Sequence, residues 1–371
     1  MAGVNGTGTG AGSIAWHVPT PEPPLLSGTI ATNDTFAFFY RTGRTFVALR
    51  LADQKIAWTA MADESFDNAY AMRGVIVCGN RVLFGSQAAM YAYSPASGER
   101  LWRWAPSAAG QLDYASPSCA NDTVIVTTGR PMRVYAVDAQ TGAQFWITPF
   151  GDSSNGIGFL TSPAISEGIA VMCSREFGPP FRGAVSAFRI SSGAVLWRYT
   201  WTPPPPQVDA SCSERVRIAN GIAVATVDDG RLFGLDLRSG ALQWTAAAVD
   251  GFVTPGDERS IIVSDFTVVA GSLSGRLMAY DSRSGALRWN VVDARSALSI
   301  FNYGLVADRG EIIGVNLSGW IASYDASTGT RRWAVSRGVG VNERVFLAEG
   351  VALSRDFALG RANDGIYAIR R

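Results

Sequence analysis

The segment LMAYDSRSGALRW (277–289) decides the fold, because the chain keeps repeating it. Related copies stand at VYAVDAQTGAQFW (134–146), LFGLDLRSGALQW (232–244) and IASYDASTGTRRW (321–333). Short runs rich in Val, Ile, Phe and Tyr alternate with small or polar residues, which is strand rather than helix chemistry. Asp281 opens a turn, since a carboxylate there accepts hydrogen bonds from backbone N–H groups a few residues on. Gly285 completes it, because glycine takes a positive φ without steric cost. Trp289 then sits on the returning strand, and the small Ala279 leaves room for a large ring nearby.

Trp58, Trp102, Trp146, Trp197, Trp244, Trp289 and Trp333 are 44, 44, 51, 47, 45 and 44 residues apart. Six of them follow a glycine by four positions: Gly98, Gly142, Gly193, Gly240, Gly285 and Gly329. Self-similarity at this period marks a repeat architecture. Upstream of each copy lies a second apolar run, such as GIAVATVDDG (221–230) or FTVVAGSLSG (266–275). Each repeat therefore reads as four antiparallel strands, A to D. One such sheet cannot bury both faces alone. Arrayed radially, neighbouring sheets cover one another and the tryptophans fill the gaps, which is an all-β, β-propeller fold.

The pattern A-x-D-x-x-[ST]-G-x-x-x-W resembles the pyrroloquinoline-quinone-like repeat, in which a tryptophan docking motif links adjacent blades. It fits best at Ala136–Trp146 and Ala279–Trp289. Ser94 and Arg189 replace the aspartate in other copies, Gly234 and Ser323 replace the alanine, and VALRLADQKIAW (47–58) lacks both Asp and Gly at the expected places. The resemblance covers nearly the whole chain.

Seven tryptophans mark seven complete blades. Beyond Trp333, Glu349-Gly350 aligns with the turn at Asn220-Gly221, and Ile366–Ile369 aligns with a C strand. SIAWHV (13–18) is an orphan strand with an orphan tryptophan, Trp16. The economical reading is an eight-bladed propeller in which residues 13–18 supply the outer strand of the closing blade, leaving no long open edge. Residues 1–12 then form a flexible N-terminal segment, and 13–371 a single domain. The competing reading is a seven-bladed ring with loose ends.

The net charge of +1 argues against a nucleic-acid partner held by phosphate neutralisation. No apolar run is long enough to span a membrane. MAGVNGTGTGAGS has neither the charged nor the apolar region of a signal peptide, so the default compartment is the cytoplasm, or an exported one if the sequence is a fragment. Cys78 and Cys119 occupy equivalent places in neighbouring blades and read as small buried apolar residues. With His17 the only histidine, a Cys/His zinc site is nearly excluded.

The B–C loops and D-to-A connections open on one face, and two insertions map there. One is CSREFGPPFRG (173–183) in blade four, and the other is YTWTPPPPQV (199–208) after it. They bring Phe177, Pro179, Pro180, Phe181, Trp201 and Pro204 to one sector, a preformed patch for a protein or peptide partner. The alternative is that these rings pack the loops onto the ring. Cys173 and Cys212 are placed so that a disulfide could pin the insertion, which would imply an oxidising compartment. Asp63, Glu64, Asp67, Asp113, Asp152, Asp250, Asp257, Glu258 and Asp293 lie on connections and could converge on a cation, although acidic loops are usually only solvated.

No catalytic residue, cofactor-binding residue or metal ligand is assigned. The chain carries no nucleophile elbow, phosphate loop or metal-binding helix. The resemblance implies three roles: a scaffold like the stand-alone members, which include a lipoprotein of outer-membrane barrel assembly; a quinoprotein dehydrogenase using pyrroloquinoline quinone and calcium; or a ligand-sensing module of a larger receptor. The absence of adjacent cysteines and of matching quinone ligands favours the non-catalytic scaffold, with no cofactor.

Overall fold

A computed structural model describes residues 10–371 apart from 21–29, 42–44, 64–73, 87, 108–111, 113–115, 130–131, 151–156, 177–180, 202–208, 211, 213–214, 228–229, 248–260, 272–275, 293–303, 316–319, 337–345 and 363–364. The described elements are all strands, arranged as eight antiparallel sheets, seven of four strands and one enlarged to six. The innermost A strands of neighbouring blades lie side by side all the way round, including that of blade eight (Phe346–Leu353) against that of blade one (Ile30–Thr32). The ring is therefore closed, and the fold is an eight-bladed β-propeller.

Blade six shows how one repeat folds. Its strands are Ile261–Ser264, Thr267–Gly271, Arg276–Asp281 and Leu287–Val292. Asp281 Oδ1 accepts the N–H groups of Arg283 (3.0 Å) and Ser284 (2.9 Å), as its place at the head of the turn predicts. Trp289 pairs directly across from Ala279, and the register slips by one residue just beyond. The same pairing joins Trp58 to Ala48, Trp244 to Gly234 and Trp333 to Ser323, so a small residue always faces the indole.

The core lies between blades rather than within one. One cluster joins Val171, Val185 and Trp197 of blade four to Ala223, Phe233 and Leu235 of blade five. Another joins Val47 and Leu49 of blade one to Leu359, Ile366 and Ala368 of blade eight. Each sheet face is thus covered by its neighbour, as the strand pattern requires.

Blade eight is built from both ends of the sequence. Strand C (Gly365–Arg370) pairs with the closing strand Ile14–Pro19, with His17 opposite Tyr367 and Trp16 opposite Ala368. Two expectations change here. Residues 10–12 do not belong to a flexible lead: Gly12 donates its N–H to Arg370 O (2.8 Å), the bond that Gly285 makes to Asp281 in blade six. Residues 1–9 lie outside the described residues. Glu349-Gly350 is not a turn but part of strand Phe346–Leu353, where the register shifts between Phe346 and Val351. The A–B turn falls at 354–356, closed by Ser354, whose hydroxyl accepts the Phe357 N–H (3.1 Å).

Candidate functional site

The two insertions build a sheet rather than loose loops. Strands B (Ile169–Glu176) and C (Phe181–Arg189) of blade four are lengthened, leaving only 177–180 as their connection. Ile157–Leu160 pairs with the end of strand B, with Leu160 opposite Ser174. Asp209–Ala210 pairs in parallel with Phe181 and Arg182. Neither short strand carries the alternation or turn residues that mark the repeats, so the sequence pattern does not announce them.

Cys173 and Cys212 form a disulfide across Cα atoms 5.8 Å apart, tying strand B of blade four to the approach into blade five. Cys78 and Cys119 form a second, with Cα atoms 5.9 Å apart. The latter corrects the reading of these two as simple buried hydrophobes. They sit on the A strands of blades two and three, and radial packing brings those strands together at the hub.

Trp201 is also corrected. It is 6% exposed, so its ring is not offered to a partner. It packs on Phe233 of blade five, with ring centroids 5.2 Å apart, and lies so close over Gly183 that a Cβ there would clash. Phe177, Pro179, Pro180 and Pro204 lie outside the described residues, and Phe181 is described only through its backbone.

Of the acidic residues on the connections, only Asp63 is described. Its carboxylate pairs with Arg100 (2.8 Å) and Arg103 (3.6 Å) instead of facing a cation. Among the described residues, no group of three Asp, Glu, His or Cys side chains converges.

The central channel holds a cavity of about 360 Å³. Its described walls are Gly74–Ile76, Ser116, Arg215, Arg217, Ile262, Val263 and Leu305–Ala307. Arg215 reaches past blade four, donating through Nη2 to Ser118 Oγ (2.5 Å) and Pro163 O (2.6 Å). Arg217 donates through Nε to Ile261 O (2.6 Å) in blade six. These guanidinium groups brace the hub. No carboxylate stands among the described walls of this cavity.

Ring closure, the small residue facing each tryptophan and the Asp-to-Gly turns define an eight-bladed propeller of pyrroloquinoline-quinone-like repeats. Residues 2–156 and 86–335 match the family described as outer membrane protein assembly factor BamB, and the chain belongs to that family. BamB of Yersinia pestis is 25% identical over 204 residues, covering 53% of this chain and 49% of the relative. BamB of Salmonella typhimurium is 26% identical over 235 residues, covering 60% and 57%. The chain thus spans about half the length of these relatives. The quinohemoprotein alcohol dehydrogenase ADH-IIG of Pseudomonas putida is 26% identical over 188 residues, covering 45% of this chain and 26% of the enzyme. The crystal structure of BamB from Moraxella catarrhalis superposes with a TM-score of 0.68 at 14% identity, covering 96% of this chain and 98% of that one, which is a likeness of fold. Among the described residues, no helix is long and apolar enough to cross a membrane.

Proposed function

We propose that this propeller is a non-catalytic scaffold that binds a protein partner of outer-membrane assembly on the face carrying the blade-four extension. The observation that carries this reading is the enlarged sheet itself. One blade of eight lengthens its central hairpin, flanks it with two added strands and fastens its base with Cys173–Cys212. A stiffened projection from a ring presents a surface at low ordering cost. The family match supports an assembly role, and the relatives' name supplies the kind of partner. Two disulfides between blades support an oxidising compartment, since such bonds persist outside the reducing cytosol.

The test is a photo-crosslinking residue at Arg182 in the full chain, expressed with export to the periplasm. The reading expects one dominant adduct, identified by mass spectrometry as an outer-membrane assembly component. It also expects that adduct to vanish when residues 175–183 are replaced by a short turn. An adduct pattern unchanged by that replacement would count against this face. The dehydrogenase-named relatives favour a second reading, an alcohol-oxidising enzyme. Dye reduction with an alcohol after adding pyrroloquinoline quinone and calcium would support it over the scaffold.

A further inference from the structure

Seven of the eight joints between blades share one construction. The D-strand tryptophan of one blade lies over a glycine in the C–D turn of the next: Trp58 over Gly98, Trp102 over Gly142, and so on round to Trp333 over Gly12. The contact is so close that a Cβ on any of these glycines would fall 2.5–2.8 Å from the tryptophan side chain. In six of the joints, the indole N–H also donates to a carbonyl of that turn at 2.7–3.0 Å.

The joint from blade eight to blade one departs from this pattern. Gln54 occupies the glycine position, donating its N–H to Arg50 O (3.0 Å) as Gly98 does to Ser94 O (2.9 Å). Its φ is +58°, in the left-handed region that costs a side-chain-bearing residue. Its Cβ keeps an indole from settling as closely as elsewhere. Its Nε2 donates to Leu51 O (3.1 Å), the counterpart of the Pro95 carbonyl that accepts from Trp58. Trp16, the blade-eight tryptophan, is left with its Nε1 buried and without an acceptor, and it turns edge-on to Phe357 of its own blade.

A second orphan donor lies in the same seam. Arg361 of blade eight is 7% exposed. Its Nη2 donates to Tyr40 O of blade one (2.7 Å) and its guanidinium covers the Phe39 ring, but Nη1 has no partner. The opposite flank of blade eight is secured: Arg371 donates to Glu311 Oε2 (2.9 Å) and Asp308 Oδ2 (2.8 Å) of blade seven. A buried donor without an acceptor regains hydrogen bonds to water once its surroundings open, which favours opening by roughly five- to a hundredfold for each group.

We propose that the seam between blades eight and one is the built-in opening point of the ring. Blade eight, with its closing strand, parts from blade one while staying seated on blade seven. Gln54 is the residue that withholds the joint.

Strand Gly365–Arg370 provides the test, because Ile366 and Ala368 face blade one while Tyr367 and Ile369 face blade seven. Single cysteines would replace Ile366 and Ile369 in the full oxidised chain, and thiol labelling would be timed under native conditions. Position 366 should label about tenfold faster than 369, and adding Gln54→Gly should slow 366 about five- to tenfold while leaving 369 unchanged. Val47→Cys, which reports the seam from the blade-one side, replaces the first probe if Ile366→Cys fails to fold. Equal rates at the two positions, or a Gln54→Gly effect shared by both, would overturn the proposal.

Discussion

Arg371 Nε donates to Glu311 Oε2 across 2.9 Å, with side chains only 7% and 8% exposed. Ser323 Oγ donates to the other Glu311 oxygen (2.5 Å), and Arg371 Nη1 also reaches Ser354 O (3.0 Å). A buried ion pair owes its tolerance to such complete satisfaction, and removing one partner strands the other charge. Arg371→Ala should therefore destabilise the fold by about 3–5 kcal/mol, seen as a lower urea midpoint. Pairing Arg371→Met with Glu311→Gln should recover most of the loss. A single variant as stable as the parent would remove the case for a stabilising buried pair at this joint.

Gly285 tests the joints that hold elsewhere. An alanine Cβ there would lie 2.5 Å from Trp244 Cε3, at a φ of +70°. Both the backbone strain and the displaced indole oppose it, so Gly285→Ala should cost about 2–4 kcal/mol in thermal or urea unfolding. Trp244→Phe should cost about 1 kcal/mol beyond its packing change, since Ser282 O loses its donor. Trp16→Phe should lose no hydrogen bond, because Trp16 Nε1 makes none.

The two disulfides should be separable. Cys78–Cys119 spans 41 residues and Cys173–Cys212 spans 39, so loop-closure entropy gives each a similar value of roughly 2–4 kcal/mol. Replacing either pair with serine should lower the melting temperature by a comparable amount. Only loss of Cys173–Cys212 should increase proteolysis within 175–183, because that bond fastens the extension. Equal cleavage in both variants would remove the case for a pinned projection.

The periodic features of the chain were readable because each has a local physical cause. Asp281, Gly285 and Trp289 announce a turn and a returning strand, and the orphan strand SIAWHV (13–18) with its orphan Trp16 places the closing strand. Features that depend on what a neighbouring blade supplies were harder. Cys78 and Cys119 hold equivalent places in the sequence, yet their bond follows only once inner strands of consecutive blades lie side by side. Trp201 stands beside a proline run, a composition that reads as an exposed patch. The signal for burial was present in Gly183, directly opposite in register, as Gly234 stands opposite Trp244. Ile157–Leu160 and Asp209–Ala210 pair only with the lengthened hairpin, so nothing in their own sequence marks them.

The turn aspartates give the ring an acid limit. The Arg288 guanidinium, with the N–H and hydroxyl of Ser284, holds the Asp281 carboxyl down at about 2. The hydroxyl and N–H of Ser239 lower Asp236, and the Ser327 hydroxyl followed by Arg332 lowers Asp325. An unfolded aspartate titrates near 3.9, so each group binds protons more weakly in the folded state. Their stabilisation is complete above pH of about 4 and is lost as pH falls toward 2. Each turn is largely solvent-exposed, so screening keeps the individual effects small, but the repeats add them. Melting curves by circular dichroism should be level from pH 7 to 5 and fall steeply below 4, and Asp281→Asn should flatten part of that fall. A melting temperature indifferent to pH between 5 and 2.5 would show that these turns hold no carboxylate-dependent stability.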